Sequence, residues 1–250
     1  MLEFFHQVLY VPIYNLLIYL VDVLPGADIG LAVIIATLIV KALTFPLSIS
    51  ALKTQVAMRR IEPELKALRE THKDDKQKQA EAMFALYKEN KIRPFSSILA
   101  MLIQIPVLIT LFLVFQRESM TAVNPELLYS FVPDPGMFSA LFLGFFVVTS
   151  HNFILAGLAA ITQFIQARYA IPVPEKNKNR DYSKAPTKEE MGSEFGRAMA
   201  IQARYILPVI IGAVAFSSGA VALYLITSNI VAIFQEFFVR KTNLKAPKLA

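Results

Sequence analysis

The sequence predicts an all-α integral membrane protein with five transmembrane helices, a cytoplasmic helical hairpin and an external interfacial amphipathic helix. Three observations predict it. Of the 250 residues, 55% are hydrophobic and 18% charged, against about 25% charged in an average soluble chain. Five stretches reach the roughly 20 apolar residues that cross a hydrocarbon core about 30 Å thick. Finally, 21 of the 25 Lys and Arg residues fall in three alternate regions between or after the spans, as expected for segments kept in the cytoplasm.

Residues 1–28 contain no Lys or Arg. Within Phe4–Leu24, the polar residues Gln7, Asn15, Tyr19 and Asp22 fall roughly on one helical face, with Val8, Leu16, Leu17, Leu20 and Leu24 around the other. That narrow polar stripe predicts an external amphipathic helix lying in the interface. A sixth span is the alternative, and the lack of positive charge before it argues against that. The first span covers residues 29–50. The segment 51–94 follows with eleven basic residues. Its apolar residues recur at helical spacing (Val56, Ile61, Leu65, Leu68, then Ala80, Met83, Phe84, Tyr87), broken by Thr71–Asp75. This reads as a mobile antiparallel hairpin, with Asp74 or Asp75 capping its second helix.

The second span covers 95–116. Residues 117–151 hold a single basic residue, Arg117, and read as an external loop. Its short hydrophobic segment Met137–Val148 would be only about 18 Å long as a helix, so it is expected to dip into or lie on the membrane. The third span is 152–171. The loop 172–200 carries six basic residues and several prolines, and reads as cytoplasmic and flexible. The fourth and fifth spans, 201–217 and 218–239, lead to a short basic cytoplasmic tail, 240–250. The N-terminus is therefore expected outside and the C-terminus inside.

Several chemistries are excluded. With no Cys there is no disulfide framework, thiol catalysis or Cys-based zinc site. No Gly-rich phosphate loop or nucleophile elbow occurs, and no acid–base pair or activated nucleophile lies within the spans. The protein is expected not to be an enzyme and to need no cofactor and no metal.

The polar residues inside the spans are a different matter, because intramembrane charge is costly and usually functional. Lys41 stands mid-span. Thr37, Thr44 and Ser48 lie on the same helical face at spacings of four, three and four. Pro46 removes the helical donor to the Ala42 carbonyl and bends the helix nearby. Later spans add Gln104, Thr110, Thr162, Gln163, Gln166, Gln202, Thr227, Ser228 and Asn229, while Glu236 lies close to the cytoplasmic end. Two readings stand: Lys41 snorkels to the headgroups while amides and hydroxyls stitch helices together, or these groups line a hydrated cavity with one positive charge at its centre.

The runs TLIVKALTFPL, MRRIEPELKALRE, DDKQKQAEAMFALYKENKIRPF, LIQIPVLITLF, LAAITQFIQARY and LYLITSNIVAIFQ, in this order, resemble the YidC/Oxa/Alb membrane protein insertases from about Val11 to Arg240. The resemblance implies a bacterial plasma-membrane protein whose five helices enclose a hydrophilic groove. It implies insertion and chaperoning of newly made integral membrane proteins, alone or with the Sec translocon. In that light Lys41 takes the place of the family's usual Arg, and Thr37 that of a groove-lining Thr. Gln104 matches a QxP motif and Tyr224 the Tyr of the last helix. With Thr44, Ser48, Gln163 and Ser228 these make the expected substrate groove. Expected partners are nascent membrane proteins, the Sec translocon, the lipid bilayer and the ribosome (through basic loops and tail), with no specific nucleic acid. Two departures weaken the match: Lys41 lacks the planar fork of Arg, and Leu225 stands where the family usually has an aromatic. The alternative is a small multi-pass solute transporter or channel, which would favour repeated halves with broken helices. No such repeat is present in the sequence.

Overall fold

The computed structural model describes residues 2–93, 95–117, 123–136, 139–171, 173 and 188–244. The helices are α1 (Leu2–Phe5), a π-helical turn His6–Tyr10, α2 (Val11–Val23), α3 (Ile29–Arg60), α4 (Glu62–Thr71), α5 (Lys76–Glu89), α6 (Phe95–Arg117), α7 (Phe153–Ala170), α8 (Lys188–Phe216) and α9 (Gly219–Leu244). A two-stranded antiparallel hairpin, β1 (Leu141–Phe142) and β2 (Phe146–Val147), precedes α7. Among the described residues, five helical stretches have the length and hydropathy to cross a membrane: His6–Val23, Ile29–Arg60, Phe153–Ala170, Met191–Phe216 and Gly219–Lys241. The 23-residue α6 is apolar over most of its length, Leu102–Phe115 included. The all-α membrane fold expected from the sequence is thus present, with His6–Val23 long enough to qualify beside the spans read from hydropathy.

Two compact units divide the chain, one formed by Met1–Ile39 with Thr110–Phe234 and the other by Val40–Ile109 with Gln235–Ala250.

In the first unit, α2 buries Tyr14, Leu17, Ile18 and Val21. Asn15, read from the sequence as part of a polar stripe with Tyr19 and Asp22, is turned inward and is 3% exposed. Its amide explains why. Nδ2 donates to the carbonyls of Val11 (2.8 Å) and Leu127 (2.7 Å), and Oδ1 accepts from the Tyr129 N–H at 2.7 Å. The Asn124 N–H donates to the Tyr14 hydroxyl at 2.7 Å. Side chains of α2 thereby satisfy backbone groups of the 124–129 segment that would otherwise be buried unpaired.

Asp28 does similar work at the head of α3. It is 7% exposed. Oδ1 accepts from the Leu31 N–H at 3.0 Å as a helix cap, and Oδ2 accepts from the Leu143 N–H at 2.8 Å. The segment Met137–Val148, expected to dip into or lie on the membrane, folds over Leu141–Val147 as the β-hairpin. Leu143 (φ 51°) and Gly144 (φ 76°) close its turn in left-handed conformations. The hairpin is clamped from two sides. A Cβ at Gly30 would come within 2.5 Å of the Phe142 ring, and one at Gly219 within 2.8 Å of the Val148 Cα. Ala220 and Gly219 donate backbone N–H bonds to Val148 (2.9 Å) and Ser150 (3.0 Å).

Helices α7 and α8 pack antiparallel in the same unit. The Phe216 ring lies 4.4 Å from that of Phe153, Gly212 approaches Ala160 (3.1 Å from a built Cβ), and Arg204 donates to the Arg168 and Ile171 carbonyls at the end of α7. Small residues permit that approach, as in membrane helix pairs generally. The sequence places a flexible loop as far as residue 200, yet α8 is already helical from Lys188. The residues 174–187 of that expected loop, and 245–250 of the expected tail, lie outside the described residues. Helicity needs only backbone hydrogen bonds and tolerant side chains, so a hydropathy boundary marks where lipid begins and not where a helix does. For the same reason α3 runs 32 residues, about 48 Å, past its apolar portion.

In the second unit, the expected helical hairpin is α4 and α5. Ile61, Leu65 and Ile92 form its buried seam, flanked by Ala57, Met58, Met83, Leu86 and Tyr87. Asp75 is the cap: its Oδ1 accepts from the N–H groups of Lys78 (3.0 Å) and Gln77 (3.1 Å). The Lys78 backbone N–H is the main reason its pKa lies below the usual carboxylate value.

The two glycines and the Asp75 cap can each be tested. Gly219→Ala forces a Cβ against hairpin backbone, so it lowers thermal stability in detergent by about 1–3 kcal/mol. Gly157→Ala, in mid-α7 with open space around it, raises stability by up to about 1 kcal/mol. For Asp75, a depressed folded-state pKa means that its contribution is complete above the ordinary value of about 3.9. It disappears only as the pH falls below that value, through the depressed one. The Gln77 and Lys78 amide resonances are accordingly expected to titrate with a midpoint below 3.9, and Asp75→Ala abolishes that titration.

Candidate functional site

The candidate site consists of polar side chains on apolar helices. In the second unit Lys41, Thr44 and Ser48 stand on α3 and Gln104 on α6. Lys41 Nζ donates to Gln104 Oε1 at 3.1 Å, so these two candidates, 63 residues apart in sequence, are in contact. Gln104 precedes Pro106, which lies inside α6 as Pro46 lies inside α3. Each proline removes one N–H from the ladder and frees the carbonyl four residues earlier, Ala42 in α3 and Leu102 in α6. The cation therefore sits one residue from a freed carbonyl.

Three hydroxyls of α3, at Thr37, Thr44 and Ser48, share one habit. Thr44 Oγ1 donates to the Val40 carbonyl at 2.9 Å, and Ser48 Oγ to that of Thr44 at 3.1 Å. In the first unit, Thr37 Oγ1 donates to the Val33 carbonyl at 2.6 Å and is 2% exposed. With its single proton committed to the backbone, each hydroxyl is left with lone pairs only; Thr44 and Ser48 are half-buried and Thr37 is buried. Along α3 the stripe presents acceptors, and Lys41 is the donor on it.

The remaining candidates lie in the first unit. Gln163 Nε2 donates to Gln166 Oε1 at 3.2 Å, one turn along α7. Tyr224 and Ser228, four residues apart on α9, are both buried. Thr162 of α7 accepts from Asn229 Nδ2 of α9 at 3.3 Å while donating to the Leu158 carbonyl at 2.9 Å. Both residues are polar within spans, and neither belongs to the groove set expected from the sequence. Thr110 on α6 is fully buried, with a hydroxyl that has no hydrogen-bond partner among the described residues.

At the end of α9, in the second unit, Glu236 is buried and accepts from Arg240 Nη2 at 2.8 Å and Nε at 3.1 Å. The sequence carried the signal, a Glu four residues before an Arg in a helix. No cluster of three or more His, Asp or Glu able to hold a metal occurs among the described residues.

These features define a multi-pass membrane protein that carries polar side chains, Lys41 and Gln104 among them, on apolar helices. The family model described as 60Kd inner membrane protein matches residues 20–246, and the chain belongs to that family, in agreement with the resemblance in its motifs. Among similar proteins are those called Membrane protein insertase YidC in Francisella tularensis subsp. novicida (strain U112) and in Francisella tularensis subsp. holarctica (strain LVS). Each is 29% identical over 214 residues, which cover 85% of this chain and 32% of the relative. The chain thus spans about a third of the length of these relatives.

The α7–α9 link gives a test. In a double-mutant cycle with Thr162→Val and Asn229→Leu, the expected coupling is about 0.6–1.7 kcal/mol, the range for hydrogen bonds between membrane helices, measured by unfolding in mixed detergent.

Proposed function

We propose that this protein is a membrane protein insertase and chaperone that inserts newly made integral membrane proteins into a bacterial plasma membrane and helps them fold. The observation that carries the reading is a lysine on an apolar helix, held by a neutral amide and flanked by hydroxyls that offer lone pairs, in a chain of this family. The relatives bear the name insertase. A solute transporter gains no support from the family or from the relatives.

In this reading Lys41, Thr37, Thr44, Ser48, Gln104, Gln163, Tyr224 and Ser228 line a hydrated groove for the client. A charged segment entering hydrocarbon alone loses its hydration at a cost of several kcal/mol. Polar side chains and water part-way across shorten the stretch over which that loss applies, and Lys41 attracts an acidic tail. Burial of the client's own apolar span, about 0.8 kcal/mol per CH₂, drives the step, so no nucleotide or cofactor is needed. The N-terminus lies outside with residues 4–24 on the external interface, and the basic segments face the cytoplasm. There they meet nascent chains, the ribosome and, for some clients, the Sec translocon.

The test is insertion of a short client with an acidic N-terminal tail into liposomes holding the purified protein. Intact protein and Lys41→Arg are expected to insert it. Lys41→Glu is expected to lower insertion about tenfold or more, since a barrier change of 1.4 kcal/mol already gives a factor of ten. Intact protein that inserts nothing would overturn autonomous insertion. Equal insertion by all three would return Lys41 to a headgroup-seeking role.

A further inference from the structure

The β1–β2 hairpin has two different faces. Phe142 and Phe146 are paired across the strands, and Phe142 packs on Gly30 of α3. Leu141 and Val147, the other cross-strand pair, are exposed, as is Leu143 in the turn, and Phe145 is 84% exposed. An apolar tip left bare is costly in water, so its surroundings need to be identified.

Three features identify them. First, the hairpin is fixed at the heads of membrane helices: Asp28 ties Leu143 to the start of α3, and Val148 and Ser150 accept from the first two residues of α9. Second, exposed apolar residues resume at α7. That helix begins only a few residues after β2, exposes Phe153 and Ile154 at once, and continues with exposed Leu158, Ile161 and Ile165 along its length. Third, no Asp, Glu, Lys or Arg occurs between Asp134 and Arg168, so nothing there recognises a charged partner or headgroup. Hydrocarbon is the surface that fits.

We propose that the tip of this hairpin, Leu143 to Phe145, is a lipid anchor embedded among the acyl chains of the leaflet in which α3, α7 and α9 begin. Its partner is bilayer hydrocarbon, without headgroup selectivity. A tip of this kind reaches about 5–10 Å below the headgroups, as interfacial apolar elements do. Because Asp28 bonds the turn directly to the first turn of α3, the anchor fixes the depth at which that helix starts.

The chain contains no Trp, so Phe145→Trp installs a single fluorescent reporter at an exposed position. The full chain carrying it is placed in vesicles of phosphatidylcholine brominated either high or low on the acyl chains. Phe84→Trp, on the exposed face of α5, serves as an aqueous reference. The proposal expects blue-shifted emission, strong quenching by bromine high on the chains, and little quenching by aqueous acrylamide. Acrylamide quenching equal to that of Phe84→Trp would overturn it. So would blue-shifted emission that bromolipid leaves untouched and that strengthens with protein density, since a second copy would then be the cover. If Phe145→Trp lowers the thermal transition, Leu141→Trp on the exposed cross-strand pair reads the same depth.

Discussion

Hydrocarbon supplies no hydrogen bonds, and that constraint organises this protein more than any single contact. A polar group carried into it must be satisfied by the protein or by water admitted on purpose. Thr37, Thr44, Ser48 and Thr162 meet the requirement locally, by donating to carbonyls three or four residues back. Asn229 and Gln104 meet it across helices. Arg204 covers carbonyls at the end of α7, and Glu236 is matched by Arg240. Lys41 is met by a neutral amide, as Arg204 is by neutral carbonyls, and the proposed function centres on it because it stands mid-span.

The same constraint explains what the sequence made legible. Apolar length and the bias of Lys and Arg are summed properties of many residues, so they survive any ignorance of geometry. The Thr37–Lys41–Thr44–Ser48 stripe was readable because a helix repeats every 3.6 residues. A cap at Asp74 or Asp75 is readable because such a side chain acts on its immediate neighbours, and the structure places it at Asp75. The contact of Lys41 with Gln104 was not, since nothing local records which of several polar residues on α6 faces α3. Asn15 shows the opposite failure: polarity on a helix face suggested water, whereas its amide serves the backbone of a segment more than a hundred residues away. Helix ends escaped too, because hydropathy reports the solvent and not the backbone. Met137–Val148 was judged on length as a helix, and a tight turn of two left-handed residues gave it another shape.

The two prolines illustrate how one device can act twice. Pro46 and Pro106 sit within the helices that carry Lys41 and Gln104. Each leaves a carbonyl without its helical donor, that of Ala42 next to the lysine in sequence and that of Leu102 two residues before Gln104. The lysine itself is met by the neutral amide of Gln104, and such a contact is weaker than one to a carboxylate.

The joint between the β-hairpin and the helices around it is made largely of main-chain amides: Ile29 with Ser139, Ser139 with Ala27, Val148 with Ala140, and Gly219 and Ala220 with Ser150 and Val148. Amides are the same in every residue but proline. A joint of this kind can therefore be inherited intact while nearly every side chain in it is exchanged, and a comparison of residue identities would register drift where the architecture has held still. Its written trace lies in a few positions: the glycines at 30 and 219 where something is missing, the Phe142 ring against Gly30, the Ser218 hydroxyl that donates to the Val148 carbonyl, and the carboxylate of Asp28.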